Sequence, residues 1–87
     1  MKVYVVVECD FKVRDSVVKS VFSTKKKAMD LAKCCANERV KRYSQTRVIE
    51  ELDDRYIVRY KEEGDNKELN DCEILAIYYV AEKLVID

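Results

Sequence analysis

The chain has 87 residues, enough for one domain with a modest core, and 48% of them are apolar. It holds one glycine, no proline and no histidine. That composition argues against disorder, against a phosphate-cradling glycine loop and against the commonest general base of enzymes. Without a long apolar run or a signal-peptide pattern, we expect a single cytoplasmic domain, residues 1–87, that does not cross a membrane. The four cysteines fit that compartment as reduced, mostly buried thiols, with a disulfide framework as the alternative.

The net charge of zero hides an uneven distribution along the chain. Residues 1–47 hold 12 lysines and arginines against 5 acidic residues, and residues 48–87 hold 5 against 12. If the two halves interleave in one sheet, their charges neutralise one another locally. If they occupy different faces, the molecule is a strong dipole that would steer a charged partner. We expect interleaving.

Two strands are predicted at the start of the chain. Residues 2–9 (KVYVVVEC) are apolar on both alternating faces, which is typical of a central strand. Residues 10–15 are polar and suit a hairpin connection, and residues 16–22 predict the second strand. Its apolar residues are expected on alternate faces, with Val17 and Val21 opposite Val18 and Phe22.

A helix is predicted from about residue 24 to residue 40. Ser23 or Thr24 can cap its first turn, because either hydroxyl accepts a hydrogen bond from a free amide. Apolar side chains then recur at helical spacing and should face the sheet. They are Ala28, Leu31, Ala32, Cys35, Ala36 and Val40.

Three further strands are expected in the second half. Residues 46–52 and 55–61 are joined by a short turn, and the basic side chains of the second segment predict a half-exposed strand. Residues 62–71 contain the only glycine and predict a loop. Residues 76–86 predict the last strand, with a second amphipathic helix as the alternative. The predicted fold class is therefore α+β, with one main helix (about 24–40) packed on an antiparallel sheet of four to five strands.

The strand-to-helix junction resembles one found in small ββα…β proteins of bacteria and phages, a loose class of domains with no assigned function. In that class a "GVFSS/STKEKA" junction leads into the helix, and a final strand ends in "ELD". The resemblance covers about half the chain and implies the ββα…β layout but no activity. Residues 40–72 depart from the pattern as an inserted hairpin and loop, and Ser20 stands where the class has glycine. The matching positions are Val21, Phe22, Ser23, Thr24, Lys25, Ala28 and, loosely, 79–87.

The sequence predicts no catalytic, cofactor-binding or metal-binding residue, and the protein is expected not to be an enzyme. No serine lies in a nucleophile-elbow context. Acidic pairs at 50–51, 53–54 and 62–63 offer oxygen ligands for a cation together with Asp65. Neighbours on a strand point to opposite faces, however, so these pairs are more simply explained as solvated charges.

Recognition is the role that remains, and we predict a non-catalytic protein-interaction module. An acidic, tyrosine-containing surface would fit a basic groove on a partner, as in a phage-type inhibitor of a host nucleic-acid-directed defence complex. The partner would be a host protein or a second copy, so a homodimer fits the prediction. Each tyrosine has burial of its ring in the core as the competing interpretation. The candidate residues are Tyr56, Tyr60, Glu50, Glu51, Asp53, Asp54, Glu62 and Glu63, with Tyr78 and Tyr79 as further anchors.

Two alternatives belong to other functional classes. In the first, the chain binds nucleic acid through Lys25, Lys26 and Lys27, at a helix start whose free amides attract phosphate, with Arg42 extending the basic character. A solvated helix face is the simpler interpretation of such a charge run. In the second, the chain is a homo-oligomeric structural protein held by an exposed edge strand or by the charge split.

Overall fold

A computed structural model describes residues 1–43, 47–62, 64 and 66–86. They form one helix packed on a five-stranded antiparallel sheet, which confirms the predicted α+β class. The final segment is a strand, so the helical alternative for it was wrong. The elements are β1 (Lys2–Asp10), β2 (Asp15–Phe22), α1 (Lys25–Tyr43), β3 (Arg47–Glu51), β4 (Arg55–Tyr60), a 3-10 turn (Leu69–Asp71) and β5 (Ile74–Leu84).

The strand order is β2-β1-β5-β4-β3. β1 has a neighbour on each side, as its two apolar faces predicted, and β5 is the middle strand. The strands of the two halves lie side by side and meet only where β1 pairs with β5, so the expected interleaving was wrong. At that boundary the Lys2 Nζ lies 3.7 Å from the Glu82 Oε1. β3 and β4 extend the sheet on the far side of β5, and the halves meet again where α1 packs across these strands and brings Lys25 near Asp54.

β2 contains a bulge that changes which of its side chains share a face. Val21 is paired with Val5 and Val18 with Val7, with a shift of register between Val6 and Val7. Val5 and Val7 lie on the same face of β1, so Val18 and Val21 lie on that face as well. The predicted alternation of β2 was therefore wrong, because one extra residue in the strand restarts the two-residue period.

The helix begins with a threonine cap and packs through alanines. The Thr24 hydroxyl accepts a hydrogen bond from the Lys27 amide at 3.3 Å, which identifies the N-cap among the two candidates. Ala28, Ala32 and Ala36 are completely buried against the sheet. Methyl side chains allow the helix axis to lie close to the strands, and the larger predicted residues pack at the flanks of this stripe as partly buried groups. The predicted sheet-facing side of the helix is confirmed.

β4 is buried, and the prediction of a half-exposed strand was wrong. Its Arg59 is only 8% exposed, because Glu50 on β3 and the segment at Cys72 cover the side chain. The Arg59 Nε and Nη2 donate to the Glu50 Oε1 at 3.1 Å each, and its Nη1 donates to the Cys72 carbonyl at 2.9 Å. The sequence predicted that Arg59 would be exposed to solvent. Its guanidinium is instead held inside the fold by the Glu50 carboxylate on β3. Within the described residues, no helix is both long enough and apolar enough to cross a membrane.

Candidate protein-interaction surface

The two faces of the sheet have different surroundings. α1 packs on one of them, the helix face, over Val6, Val58 and Tyr78. In the described part of the chain no second helix or sheet packs on the other face, which we call the open face. A single helix covers one side of a sheet, so the other side is left to solvent or to a partner.

The open face is mainly apolar. Cross-strand pairs define it, since Val5 lies beside Ala81, Val7 beside Tyr79 and Ile57 beside Ile77. At its edge on β2, Val18 is 60% and Val21 52% exposed. Towards the centre the side chains cover one another, and Val7 and Ile57 are only 9% and 6% exposed. Its apolar members are Val3, Val5, Val7, Cys9, Val18, Val21, Ile57, Ile77, Tyr79 and Ala81.

The arginines of this face are matched within the chain. Arg59 is bound to Glu50, as described above, and Arg55 donates to both carboxylate oxygens of Asp54 at 2.9 and 3.1 Å. Lys83 lies at one end of the face, paired with Val3. The face therefore presents apolar groups with little uncompensated charge, which is the character of a protein-interaction site.

The predicted tyrosines are mostly structural. Tyr56 is 5% exposed within the core, and its hydroxyl donates to the Glu51 Oε1 at 3.2 Å. Burial and this acceptor raise the pKa of Tyr56. Tyr60 is half-buried, and its hydroxyl donates to the Glu62 Oε1 at 3.0 Å. Tyr78 is 1% exposed, so among the predicted anchors only Tyr79 has its ring on the open face.

The predicted acidic residues do not form one surface. Glu51, Asp53 and Asp54 come together at the β3–β4 turn, where they line a shallow depression with Met29 and Leu52. The others are elsewhere or outside the description. Glu50 lies on the open face, Glu62 lies beyond the opposite end of β4, and Glu63 falls outside the described residues.

The predicted basic residues lie at opposite ends of α1. Lys25, Lys26 and Lys27 are exposed in its first turn, whereas Arg42 is near its last residue, about 25 Å away along a helix of this length. Carboxylates accompany the lysines. Lys26 pairs with Asp30 at 3.5 Å, and Arg55 foremost, with a smaller contribution from Lys25, lowers the pKa of Asp54. The basic helix start thus adjoins the acidic β3–β4 turn, which offsets its attraction for phosphate.

A charged cleft of about 450 Å³ lies between the sheet and the second half of α1. At its base the Arg39 Nη2 donates to the Asp10 Oδ2 at 2.7 Å. Burial, reinforced by a hydrogen bond to Glu8, raises the pKa of Tyr78 to about 12. Burial also raises the pKa of the Cys35 thiol. These groups are kept in their neutral forms or in ion pairs, which suits a structural role more than proton transfer or nucleophilic chemistry.

Asp10 and Arg39 belong to different elements, so no local sequence pattern predicted their pairing. No three cysteine, aspartate or glutamate side chains of the described residues are placed to hold a metal ion.

The Asp10–Arg39 pair predicts an effect of pH on stability. Its hydrogen bond holds the pKa of Asp10 below the ordinary value. Because this carboxyl is more acidic in the folded than in the unfolded chain, the pair stabilises the fold above about pH 4 and loses that contribution as the pH falls. We expect Asp10→Asn to lower the free energy of unfolding by about 1–2 kcal/mol at pH 7 and by less at about pH 2, where more of the carboxyl is protonated.

Urea unfolding at the two pH values measures this difference. Asp30→Asn is the matched control, since Asp30 is 67% exposed in its pair with Lys26 and should change stability by less than about 0.5 kcal/mol. An Asp10→Asn deficit that is as large in acid as at neutral pH would contradict the assignment.

No protein-family model matches the chain, and neither a curated protein nor a solved structure matches it.

Proposed function

We propose that this chain is a non-catalytic protein-interaction module that binds its partner through the open face of the sheet. The observation that carries the proposal is a mainly apolar sheet face on which, in the described residues, no second helix or sheet packs. Apolar surface gains about 25 cal/mol per Å² on removal from water. Val18 and Val21, both more than half exposed, contribute little to the core of this chain, and a partner that covers them supplies the missing burial.

A narrower form of this proposal is an inhibitor of the phage type, directed at a nucleic-acid-binding complex. It is supported by the β3–β4 turn, where Glu51 and Asp53 are exposed beside Asp54. These carboxylates would occupy a basic groove on the partner. The triple change Glu51→Lys, Asp53→Lys and Asp54→Lys would abolish inhibition if this is the contact, and would leave it intact if the open face alone binds.

Capture of a partner from extracts of the native host tests the general proposal. The tagged full chain serves as bait, with Val18→Lys as the variant of the open face. Val17→Lys is the matched control, because Val17 is the adjacent residue, is 48% exposed and pairs with Glu8 on the helix face. We expect wild type and Val17→Lys to retain one stoichiometric protein, either another protein or the untagged chain itself, and Val18→Lys to lose it. Equal recovery by both variants would exclude the open face.

Nucleic-acid binding makes a different prediction. It requires a mobility shift that weakens steeply with salt and disappears when Lys25, Lys26 and Lys27 are changed to glutamate. We expect no such shift, since Asp30 and Asp54 lie beside these lysines. A salt-dependent complex lost in the triple variant would replace the present proposal.

A further inference from the structure

We infer that the occupant of the open face is a second copy of this chain. The resulting dimer has two-fold symmetry, with the two sheets stacked face to face and the two α1 helices on the outside. This inference rests on the proposed use of the open face and adds the identity of the partner.

The size of the face is sufficient for a modest dimer. Five strands of five to eleven residues, at about 3.3 Å per residue and about 4.8 Å between strands, give the sheet a footprint of roughly 600 Å². Val18 and Val21 are its most exposed apolar members, whereas Val7 and Ile57 are only 9% and 6% exposed. If the whole footprint is covered, two copies together bury at most roughly 1,200 Å², at the lower limit of stable protein–protein interfaces. The expected dimer is therefore a weak one, and its two-fold symmetry is the commonest arrangement of soluble oligomers.

The charges of the open face favour a second copy of this chain over a charged partner. Arg55 and Arg59 are matched by Asp54 and Glu50 within the chain, so the face needs no countercharge from outside. An apolar, nearly neutral face is complementary to itself, which is the condition of a two-fold interface.

One lysine also determines how the two sheets are oriented. Lys83 lies at one end of β5. If the two β5 strands ran parallel, the two ammonium groups would meet. With the strands antiparallel they lie at opposite ends of the interface, each next to solvent. Tyr79, near the middle of β5, then lies close to the two-fold axis and supplies the central aromatic contact.

Pairing of the sheet edges is a weaker route to the same symmetry. β2 is an edge strand of eight residues, but its bulge interrupts the regular row of backbone groups, and Lys19 follows Val18 there. Bulges and lysines are common protections of edge strands against pairing. The other edge, β3, has only five residues. The face is therefore the better surface for association.

Sedimentation equilibrium of the full chain between about 1 µM and 1 mM tests the inference. Wild type should approach twice the 10.2 kDa of the monomer at the upper end. Val18→Lys and Val21→Lys should each raise the dissociation constant at least about tenfold, because each places two ammonium groups in an apolar interface. Val17→Lys should leave the constant within about twofold of wild type. All three positions are about half exposed or more, so circular dichroism should report folded protein.

Each result has a defined consequence. A wild-type mass of 10.2 kDa throughout the range would overturn the dimer. The proposed function would still stand if capture of a different protein depended on Val18. A dimer weakened by Val17→Lys but not by Val18→Lys or Val21→Lys would show that the helix side associates, and would contradict the inference.

Discussion

Replacing Ala32 with aspartate is expected to leave the chain unfolded at 25 °C. Ala32 is 0% exposed where α1 meets the sheet, so the carboxylate would be buried without a prepared partner and would also force the helix away from the strands. A buried unpaired charge costs several kcal/mol. That cost is comparable to the whole stability expected of an 87-residue domain, which is about 4–13 kcal/mol.

Far-ultraviolet circular dichroism with urea unfolding measures this effect. Lys33→Asp is the matched control, because Lys33 is the next residue of α1 and is exposed. It should cost no more than about 0.5 kcal/mol. Ala32→Leu should lower the free energy of unfolding by an intermediate amount, about 1–3 kcal/mol, because it overfills the contact without adding a charge. An Ala32→Asp chain as stable as wild type would refute the packing of α1 on the sheet.

Replacing Arg59 with methionine is expected to lower the free energy of unfolding by about 2–4 kcal/mol. The change removes the partner of Glu50, whose side chain is 20% exposed, and leaves the Cys72 carbonyl without its Arg59 donor. Removing one member of a buried ion pair leaves the other charge without compensation, and this causes most of the loss.

A double-mutant cycle separates the pair from the packing. Arg59→Met combined with Glu50→Leu should recover more than half of the loss, because an apolar pair of similar size needs no compensation. Urea unfolding gives the free energy of unfolding of the wild type, the two single variants and the double variant. The protein concentration is kept well below that at which the dimer would form. Additive losses in the double variant would mean that the two side chains are not energetically coupled.

Sequence patterns predicted the helix and the strands well, because the residues that determine each element are close together in the chain. The cap at Thr24 and the alanine stripe at Ala28, Ala32 and Ala36 depend on spacing within one helix. The apolar pattern of β1 likewise indicated a central strand, and the order of the strands agrees. These predictions needed no knowledge of what lies across the sheet.

Predictions that depend on strand pairing were the ones that failed. The bulge in β2 is invisible until Val18 is placed beside Val7. Arg59 looked exposed because its cover, Glu50 and the segment at Cys72, comes from other parts of the chain. Tyr56 was chosen as an interface anchor because tyrosine is common in interfaces, but the position of α1 encloses its ring.

The open face could have been inferred from the sequence by one further argument. β1 is apolar on both faces, yet the chain predicts only one long helix, which can cover a single face of the sheet. An apolar face is therefore expected to remain uncovered by the helix. Which side chains form it depended on the bulge in β2 and on the pairing of β4 with β5.

The use of the open face is tested most directly by dilution of isotope-labelled protein in ¹H–¹⁵N correlation spectra. Between about 1 mM and 10 µM, the amide signals of β1 and β5 around Val7 and Tyr79, together with Val18, should move in a single concentration-dependent process. The signals of α1 around Lys33 should stay in place. Concentration-dependent shifts centred on α1 or on the β3–β4 turn, with Val7 and Tyr79 unchanged, would contradict the account.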